Sequence, residues 1–226
     1  MKIRHLTSWN LTPKEAVALQ RELAAQVEAR TPLTECRLIA GADISYSRFS
    51  DILYAGVVVL RLEDLTIVEK QGVVTKAAFP YVPGLLSFRE TPALLDAFAS
   101  LESEPDVIML DGHGYSHPRR FGYACHVGLE LDRPTLGCAK SVLVGACKEP
   151  KVKAGSVSPL KDGDEIIGQA VRTKNGVKPV YVSVGHKINL RSAVEIVLAT
   201  CKGYRVPEPT RQAHIFVNSL RLDASC

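Results

Sequence analysis

The sequence predicts an α/β protein in which helices flank a mixed β-sheet. Three strand-like runs rich in β-branched residues follow one another between positions 37 and 74. A short unbroken apolar run, Val107–Leu110, has the composition of a strand buried on both faces. Segments with helical spacing and helix-start signals stand before, between and after these runs.

Each element has a local reason. Thr12-Pro13-Lys14-Glu15 reads as a capping box with proline in the first turn, and Ala16, Leu19, Leu23 and Val27 follow at helical spacing. The spacing predicts a helix over 13–29, ended before Pro32. The three strand runs are Arg37–Tyr46, Leu53–Leu62 and Thr66–Val74, with Glu63-Asp64 as the turn between the last two. Ser87-Phe88-Arg89-Glu90 reads as a second capping box, opening a helix to about Leu101. After Val107–Leu110 come a glycine-rich loop, a short helix over 121–131 and a strand over 134–138. Glu165–Arg172 and Pro179–Val184 read as a hairpin around Asn175-Gly176. Helices over 190–201 and 208–221 close the chain, with Gly203 between them. Three antiparallel strands followed by alternating helices and strands suit several mixed sheets. One of them is the ribonuclease H-like fold.

The 226 residues are 46% hydrophobic and 23% charged, which excludes a disordered chain, a collagen and a coiled coil. The expectation is one domain spanning 1–226. No apolar run approaches the length of a membrane span. Met1–Asn10 has no apolar stretch, so no secretory signal is read. Six cysteines without CxxC spacing argue against a zinc finger and suit reduced thiols in a cytoplasmic protein. Charge is uneven. Residues 1–138 carry a net −3 and residues 139–226 a net +7. A basic C-terminal half fits a polyanionic partner or a solvated face. The nearest approach to a cluster is His117-Pro118-Arg119-Arg120, with Lys148, Lys151 and Lys153 later.

Asp43 lies inside an apolar strand, and Asp111 ends another. A dry, unpaired carboxylate costs several kcal/mol, so something must offset it. Backbone donors at a turn would do so, and so would a base or a bound cation. If the first and fourth strands are neighbours, the two carboxylates converge, and an oxygen-rich site suits Mg²⁺ or Mn²⁺. Glu90 completes the capping box or adds a third carboxylate. His214 flanks an apolar helix face, as packing or as a base. Lys140 follows a strand end, where it is solvated or meets a phosphate. Pro80-Tyr81-Val82-Pro83-Gly84 is a stiffened turn, either plain or able to wedge between bases.

Several blocks together resemble endonuclease V. They are Gly41-Ala42-Asp43-Ile44-Ser45, Phe79-Pro80-Tyr81-Val82-Pro83-Gly84-Leu85-Leu86-Ser87-Phe88-Arg89-Glu90 and Asp111-Gly112-His113-Gly114-Tyr115-Ser116-His117-Pro118-Arg119. Gly137-Cys138-Ala139-Lys140-Ser141, Gly185-His186 and Pro207-Glu208-Pro209-Thr210-Arg211-Gln212-Ala213-His214 complete the set, in order along nearly the whole chain. Two departures spare the matched carboxylates. His113 stands where some members carry glutamine, and Val184 precedes Gly185 where proline is common.

The resemblance implies a ribonuclease H-like fold and a Mg²⁺-dependent endonuclease, with Mn²⁺ able to substitute. It implies recognition of inosine, DNA favoured over RNA, and hydrolysis of the second phosphodiester bond on the 3′ side, leaving 3′-hydroxyl and 5′-phosphate ends. It also implies roles for residues. Asp43, Asp111 and Glu90 match the metal-binding and catalytic carboxylates, His214 the catalytic histidine and Lys140 the lysine near the scissile phosphate. Tyr81 with Pro80, Val82 and Pro83 matches a strand-separating wedge. Leu86, Gly112, Gly114 and Gly122 match positions around the lesion pocket, and His117 belongs to the same block. Hypoxanthine offers O6 as an acceptor where adenine has a donor, so a pocket of backbone N–H groups favours inosine. Glycines let that backbone approach the base. The expected protein is a monomer. The rivals are an inosine-specific endoribonuclease, a module that binds inosine without cutting, and a phosphohydrolase of small nucleotides.

Overall fold

The β-branched runs pair as their order suggests. In the computed structural model, which describes residues 1–47 and 50–224, β1 (Leu38–Ser45) pairs antiparallel with β2 (Ile52–Arg61). Strand β2 pairs antiparallel with β3 (Ile67–Lys76). On its other side β1 runs parallel to β4 (Val107–Leu110), which runs parallel to β5 (Thr135–Ala139). The sheet continues through β8 (Val180–His186), β7 (Glu165–Val171) and β6 (Val157–Asp162). Its eight strands stand in the order β3-β2-β1-β4-β5-β8-β7-β6. All four residues of β4 are buried, as the unbroken apolar run requires.

Strand alternation decides which residues meet which helix. Ala40, Ala42, Ile108 and Leu110 point to one face, where α2 (Leu86–Ala99) and α3 (Tyr123–Leu131) cover them. Ile39, Val107 and Met109 point to the other, covered by α4 (Leu190–Ala199) and α5 (Glu208–Asp223). Gly41 lies on that second face. A Cβ there would stand 1.9 Å from the carbonyl oxygen of Pro209, so only glycine lets α5 approach β1 so closely. The first helix, α1 (Pro13–Ala24), has the expected capping box, with the Glu15 carboxylate accepting from Thr12 N–H at 2.8 Å. No helix among the described residues is long and apolar enough to cross a membrane.

Three expectations need correction. Helix α1 stops at Ala24, not at 29. The chain beyond leaves to let Glu28 N–H donate to His186 Nδ1 at 3.2 Å. Strand β6 has no counterpart in the sequence reading. It is an edge strand, mostly solvent-facing and interrupted by Pro159, so neither alternation nor apolarity marks it. The second capping box does not form. Helix α2 begins at Leu86 with no side-chain cap, and Ser87 Oγ instead meets His126 Nδ1 at 3.0 Å. Glu90 is thereby free to turn inward. The Cys226 thiol lies outside the described residues, and the other five cysteines are free.

His126 pins α2, α3 and the N-terminal segment together. Its Nε2 lies 2.8 Å from Thr7 Oγ1, and its ring stacks on Trp9 with centroids 5.1 Å apart. Complete burial pushes its pKa down to about 3. Above the ordinary histidine pKa the ring is neutral folded and unfolded alike. As pH falls below about 6.5 the unfolded chain takes up a proton that the folded one refuses, so stability is lost from there down to about pH 3. The expected loss from this residue is up to about 1.4 kcal/mol per pH unit. Urea unfolding from pH 7 to 5 tests it. His126→Gln should show a shallower pH slope than the parent; equal slopes would remove the assignment.

Candidate active site

Parallel strands in register present the same face at paired positions. Gly41 pairs with Met109 and Ala42 with Leu110, so the next residues, Asp43 and Asp111, lie side by side on the face that α5 covers. Asp111 N–H stays within 3.5 Å of the Ala42 carbonyl, which holds the two strand ends together. Glu90 arrives from α2, on the opposite face, and is only 6% exposed.

The three carboxylates act on each other electrostatically. Burial and the Asp43 charge push the Glu90 pKa up to about 8; Asp111 adds to the rise and Arg89 opposes it. Burial and the Asp111 charge also raise Asp43, against hydrogen bonds from His214 and the Ile44 N–H. The protein supplies less positive charge here than three ionised carboxylates need. An all-oxygen cluster short of positive charge is what a hard divalent cation fits. Among the described residues no three His, Cys, Asp or Glu side chains close into a ready-made metal cage. Asp43 and Asp111 each turn one oxygen to another partner.

Those partners are His214 and Lys140. His214 Nδ1 lies 2.8 Å from Asp43 Oδ2. Ser45 Oγ donates to Asn218 Oδ1 at 3.0 Å, which leaves the Asn218 amide nitrogen facing His214 Nε2 at 3.1 Å. Nε2 must therefore accept, so the ring carries its proton on Nδ1 and gives it to Asp43. Lys140 Nζ pairs with Asp111 Oδ2. Arg205 fixes the lysine's backbone, donating to the carbonyls of Lys140 at 2.6 Å, Lys178 at 3.0 Å and Pro179 at 2.8 Å.

Beside the carboxylates lies a cavity of about 210 Å³. Tyr81, Val82, Pro83, Leu86, Gly112, His117 and Gly122 line it; Pro80 and Gly114 do not. Gln20, Ser87, His113, Tyr123 and Leu143 also line it; Ser87 and His113 belong to the matched blocks, while Gln20, Tyr123 and Leu143 carried no signal in the sequence. Tyr81 stands 62% exposed at the rim.

The N–H groups of the three matched glycines are engaged within the protein. Gly112 N–H bonds the Leu110 carbonyl at 2.9 Å, Gly114 N–H bonds Ser183 Oγ at 2.9 Å, and Gly122 N–H bonds the Gly114 carbonyl at 3.0 Å. Gly114 and Gly122 serve close packing instead: added Cβ atoms would stand 2.0 Å from Val184 O and 2.4 Å from His113 O. Leu86 and Ser87, which open α2, line the cavity. The first N–H groups of a helix lack a partner in a preceding turn, and Leu85 supplies no side-chain cap. Leu86 and Ser87 carry these groups.

The basic cluster of the sequence is also turned inward. The Gly84 carbonyl accepts from Arg119 Nη2 at 2.7 Å, Gln20 Nε2 at 3.2 Å and His117 Nε2 at 3.2 Å. His117 Nδ1 accepts from Arg119 N–H, which leaves the proton on Nε2. Burial and the Arg119 charge push His117 down to about 4, so the ring is neutral. Arg120 pairs with Asp162 at 2.9 Å and Glu165 at 2.8 Å. His117 and Arg119 thus clamp the Tyr81 loop, while Arg120 is tied to the β6–β7 hairpin.

Comparison with known proteins shows the family. A family model for endonuclease V matches residues 21–215. The endonuclease V of Gloeobacter violaceus is 49% identical over 217 residues, covering 95% of this chain and 88% of that protein. That of Dehalococcoides mccartyi is 49% identical over 215 residues, covering 95% and 96%. The Streptomyces avermitilis endonuclease V structure superposes with a TM-score of 0.93 at 38% identity over the whole of both chains. A Ciona intestinalis endonuclease V bound to a 24mer DNA containing an inosine followed by a ribo-adenosine superposes at 0.82, with 27% identity over 93% and 98% of the chains. The fold is ribonuclease H-like, and the chain belongs to the endonuclease V family, as a nuclease that hydrolyses phosphodiester bonds.

Proposed function

We propose that this chain is a Mg²⁺-dependent repair endonuclease that recognises inosine and hydrolyses the second phosphodiester bond on its 3′ side, leaving 3′-hydroxyl and 5′-phosphate ends. The observation that carries the reading is the convergence of Asp43, Glu90 and Asp111, with His214 and Lys140 attached, beside a cavity too small for a drug-sized ligand. Pockets for such ligands run to about 300–1,000 Å³. A single base suits this one better than a whole nucleotide.

Asp43, Glu90 and Asp111 would hold the cation, with Mn²⁺ able to replace Mg²⁺. When bound, it neutralises charge on the phosphate and polarises a water. His214 keeps its proton on Nδ1 against Asp43, so Nε2 is its basic atom. The Lys140 ammonium lies beside Asp111 and is 45% exposed, placed to meet a phosphate oxygen. Leu86 and Ser87 offer N–H donors to an acceptor such as hypoxanthine O6, where the adenine amino group would meet donor against donor. The exposed Tyr81 on its clamped loop would fill the gap left by an extruded base. Exposed Lys148, Lys151 and Lys153 suit a polyanionic partner. We place the enzyme in the cytoplasm, where its five described thiols stay free, and read it as a monomer acting as one domain.

DNA is the favoured substrate in this reading. The Ciona complexes carry a ribo-adenosine after the inosine, which makes RNA the second candidate. Paired DNA and RNA oligonucleotides of one sequence, each with one inosine, decide between them. Cleavage elsewhere than at the second bond on the 3′ side would overturn the proposed product.

Asp43→Ala and Asp111→Ala should each lower cleavage on the order of 10³-fold, since several kcal/mol of charge stabilisation are lost. Inosine binding measured in Ca²⁺ should persist. Full turnover by purified Asp111→Ala would contradict the site. Tyr81→Ala should cost about 10- to 100-fold in affinity for inosine-containing duplex, the scale of a lost base stack. Retained affinity and selectivity would exclude the wedge.

Cation binding should also depend on pH. Without a cation Glu90 holds its proton up to about pH 8, and a bound cation requires the carboxylate. Below that pH each unit down should weaken binding by about tenfold. The rise in Tm on adding Mg²⁺ or Mn²⁺ should therefore grow from pH 6 to 8 and then level off. A rise of equal size across that range would refute the assignment of Glu90.

A further inference from the structure

Tyr123 is the first residue of α3, and its ring does two jobs that any flat apolar group could do. It packs in the buried cluster with Ala40, Ala42 and Leu110. It also walls the cavity beside Gly112, where a Cβ would meet the ring edge at 3.2 Å. Neither job uses the phenol oxygen. That oxygen is buried, and among the described residues it has no hydrogen-bond partner. A buried polar atom left unpaired is destabilising, so its presence needs another reason.

Its charged neighbours supply one. The groups that act on the phenol electrostatically are Glu90 first, then Asp43 and Asp111, with the Tyr46 phenol after them. The ring stands against Gly112 and packs in one cluster with Ala42 and Leu110, the chain neighbours of Asp43 and Asp111, so the oxygen lies within electrostatic reach of the three carboxylates. Those groups are acceptors, and burial keeps the phenol protonated, so it is a donor.

We propose that Tyr123 is a positioning residue of the carboxylate site, its O–H orienting the Glu90 carboxylate for the cation through one water. This rests on the reading of Asp43, Glu90 and Asp111 as cation ligands. A donor behind a ligating carboxylate fixes which oxygen faces the metal, and loss of such a partner costs about 10- to 100-fold in metal affinity. Because the same ring walls the cavity, the residue joins the place where a base is seated to the place where the backbone is cut.

Tyr123→Phe keeps the ring and removes the oxygen. Mn²⁺ titration of the full chain, followed by electron paramagnetic resonance, should show Kd raised about 10-fold or more. The Tm of the metal-free variant should hold or rise, because an unpaired buried hydroxyl is gone. Mn²⁺ affinity equal to the parent's would overturn the proposal, whatever the Tm does. Loss of metal-free inosine affinity with normal Mn²⁺ binding would also overturn it, by making the hydroxyl a reader of the base. Asp111→Ala separates the two levels of failure. If it loses Mn²⁺ while Tyr123→Phe binds normally, the cation site stands and the role of Tyr123 falls. If the parent chain itself binds no Mn²⁺, both fall.

Discussion

The parallel pairing of β1 with β4 is the constraint from which the site follows. Both strands lie inside the sheet, buried on both faces, and their register places Asp43 next to Asp111 on one face. Two neighbouring carboxylates at the end of a buried sheet repel each other and lose solvation. The groups bonded to the pair answer that problem. His214 on α5 and the Ile44 N–H bond Asp43, and Lys140 at the end of β5 bonds Asp111. Gly41 belongs to the same solution, because only its missing side chain lets α5 come close enough for His214 to reach.

The offset is incomplete, and Glu90 shows where. It enters from α2 on the opposite face, and the charge that opposes its rise in pKa is that of Arg89. The Arg89 guanidinium is itself divided, donating to the carbonyls of Phe79 at 2.9 Å and Ser50 at 3.1 Å. A cluster selected for stability alone would replace Glu90 with an apolar residue, since buried ionic groups seldom outperform well-packed apolar ones. The Tyr123 oxygen, within electrostatic reach of Glu90 and without a partner among the described residues, is a second departure. Local costs that coincide in space are the mark of a site kept for chemistry.

Much of this was legible along the chain, and the rest was not for identifiable reasons. Val107–Leu110 is a strand at the bounds its apolar run predicts, because burial on both faces leaves no other pattern. Asp43 and Asp111 stood out because carboxylates interrupting apolar runs have few harmless explanations. Strand β6 escaped notice because a solvated edge with proline looks like loop. Ser87 and Glu90 satisfied the local spacing of a capping box, yet His126 competes for Ser87 from a distant helix, and no local pattern records that. Gln20, Asn218 and Arg205 were silent for a related reason. Their partners are an arginine, a histidine and carbonyls remote in sequence, so the chain carries their identity but not their use.

Recognition and chemistry are tied together by covalent structure. Leu86 and Ser87 open α2 at the cavity, and Glu90 lies three to four residues further on, about 5 Å along the same rigid helix. Gly112 lines the cavity and directly follows Asp111. The cavity and the carboxylates are therefore joined twice, through a helix and through the end of β4, and neither can shift without the other. The wedge loop is tied in as well, since the Gly84 carbonyl that ends it is held by Gln20 from α1 and by His117 and Arg119 from the loop after β4. On the proposed function, a base seated in the cavity would hold its own strand at a set offset from the cation. The bond presented for hydrolysis would then be chosen by the length of backbone that spans that offset, which explains how an enzyme can read one nucleotide and cut at a fixed distance beyond it.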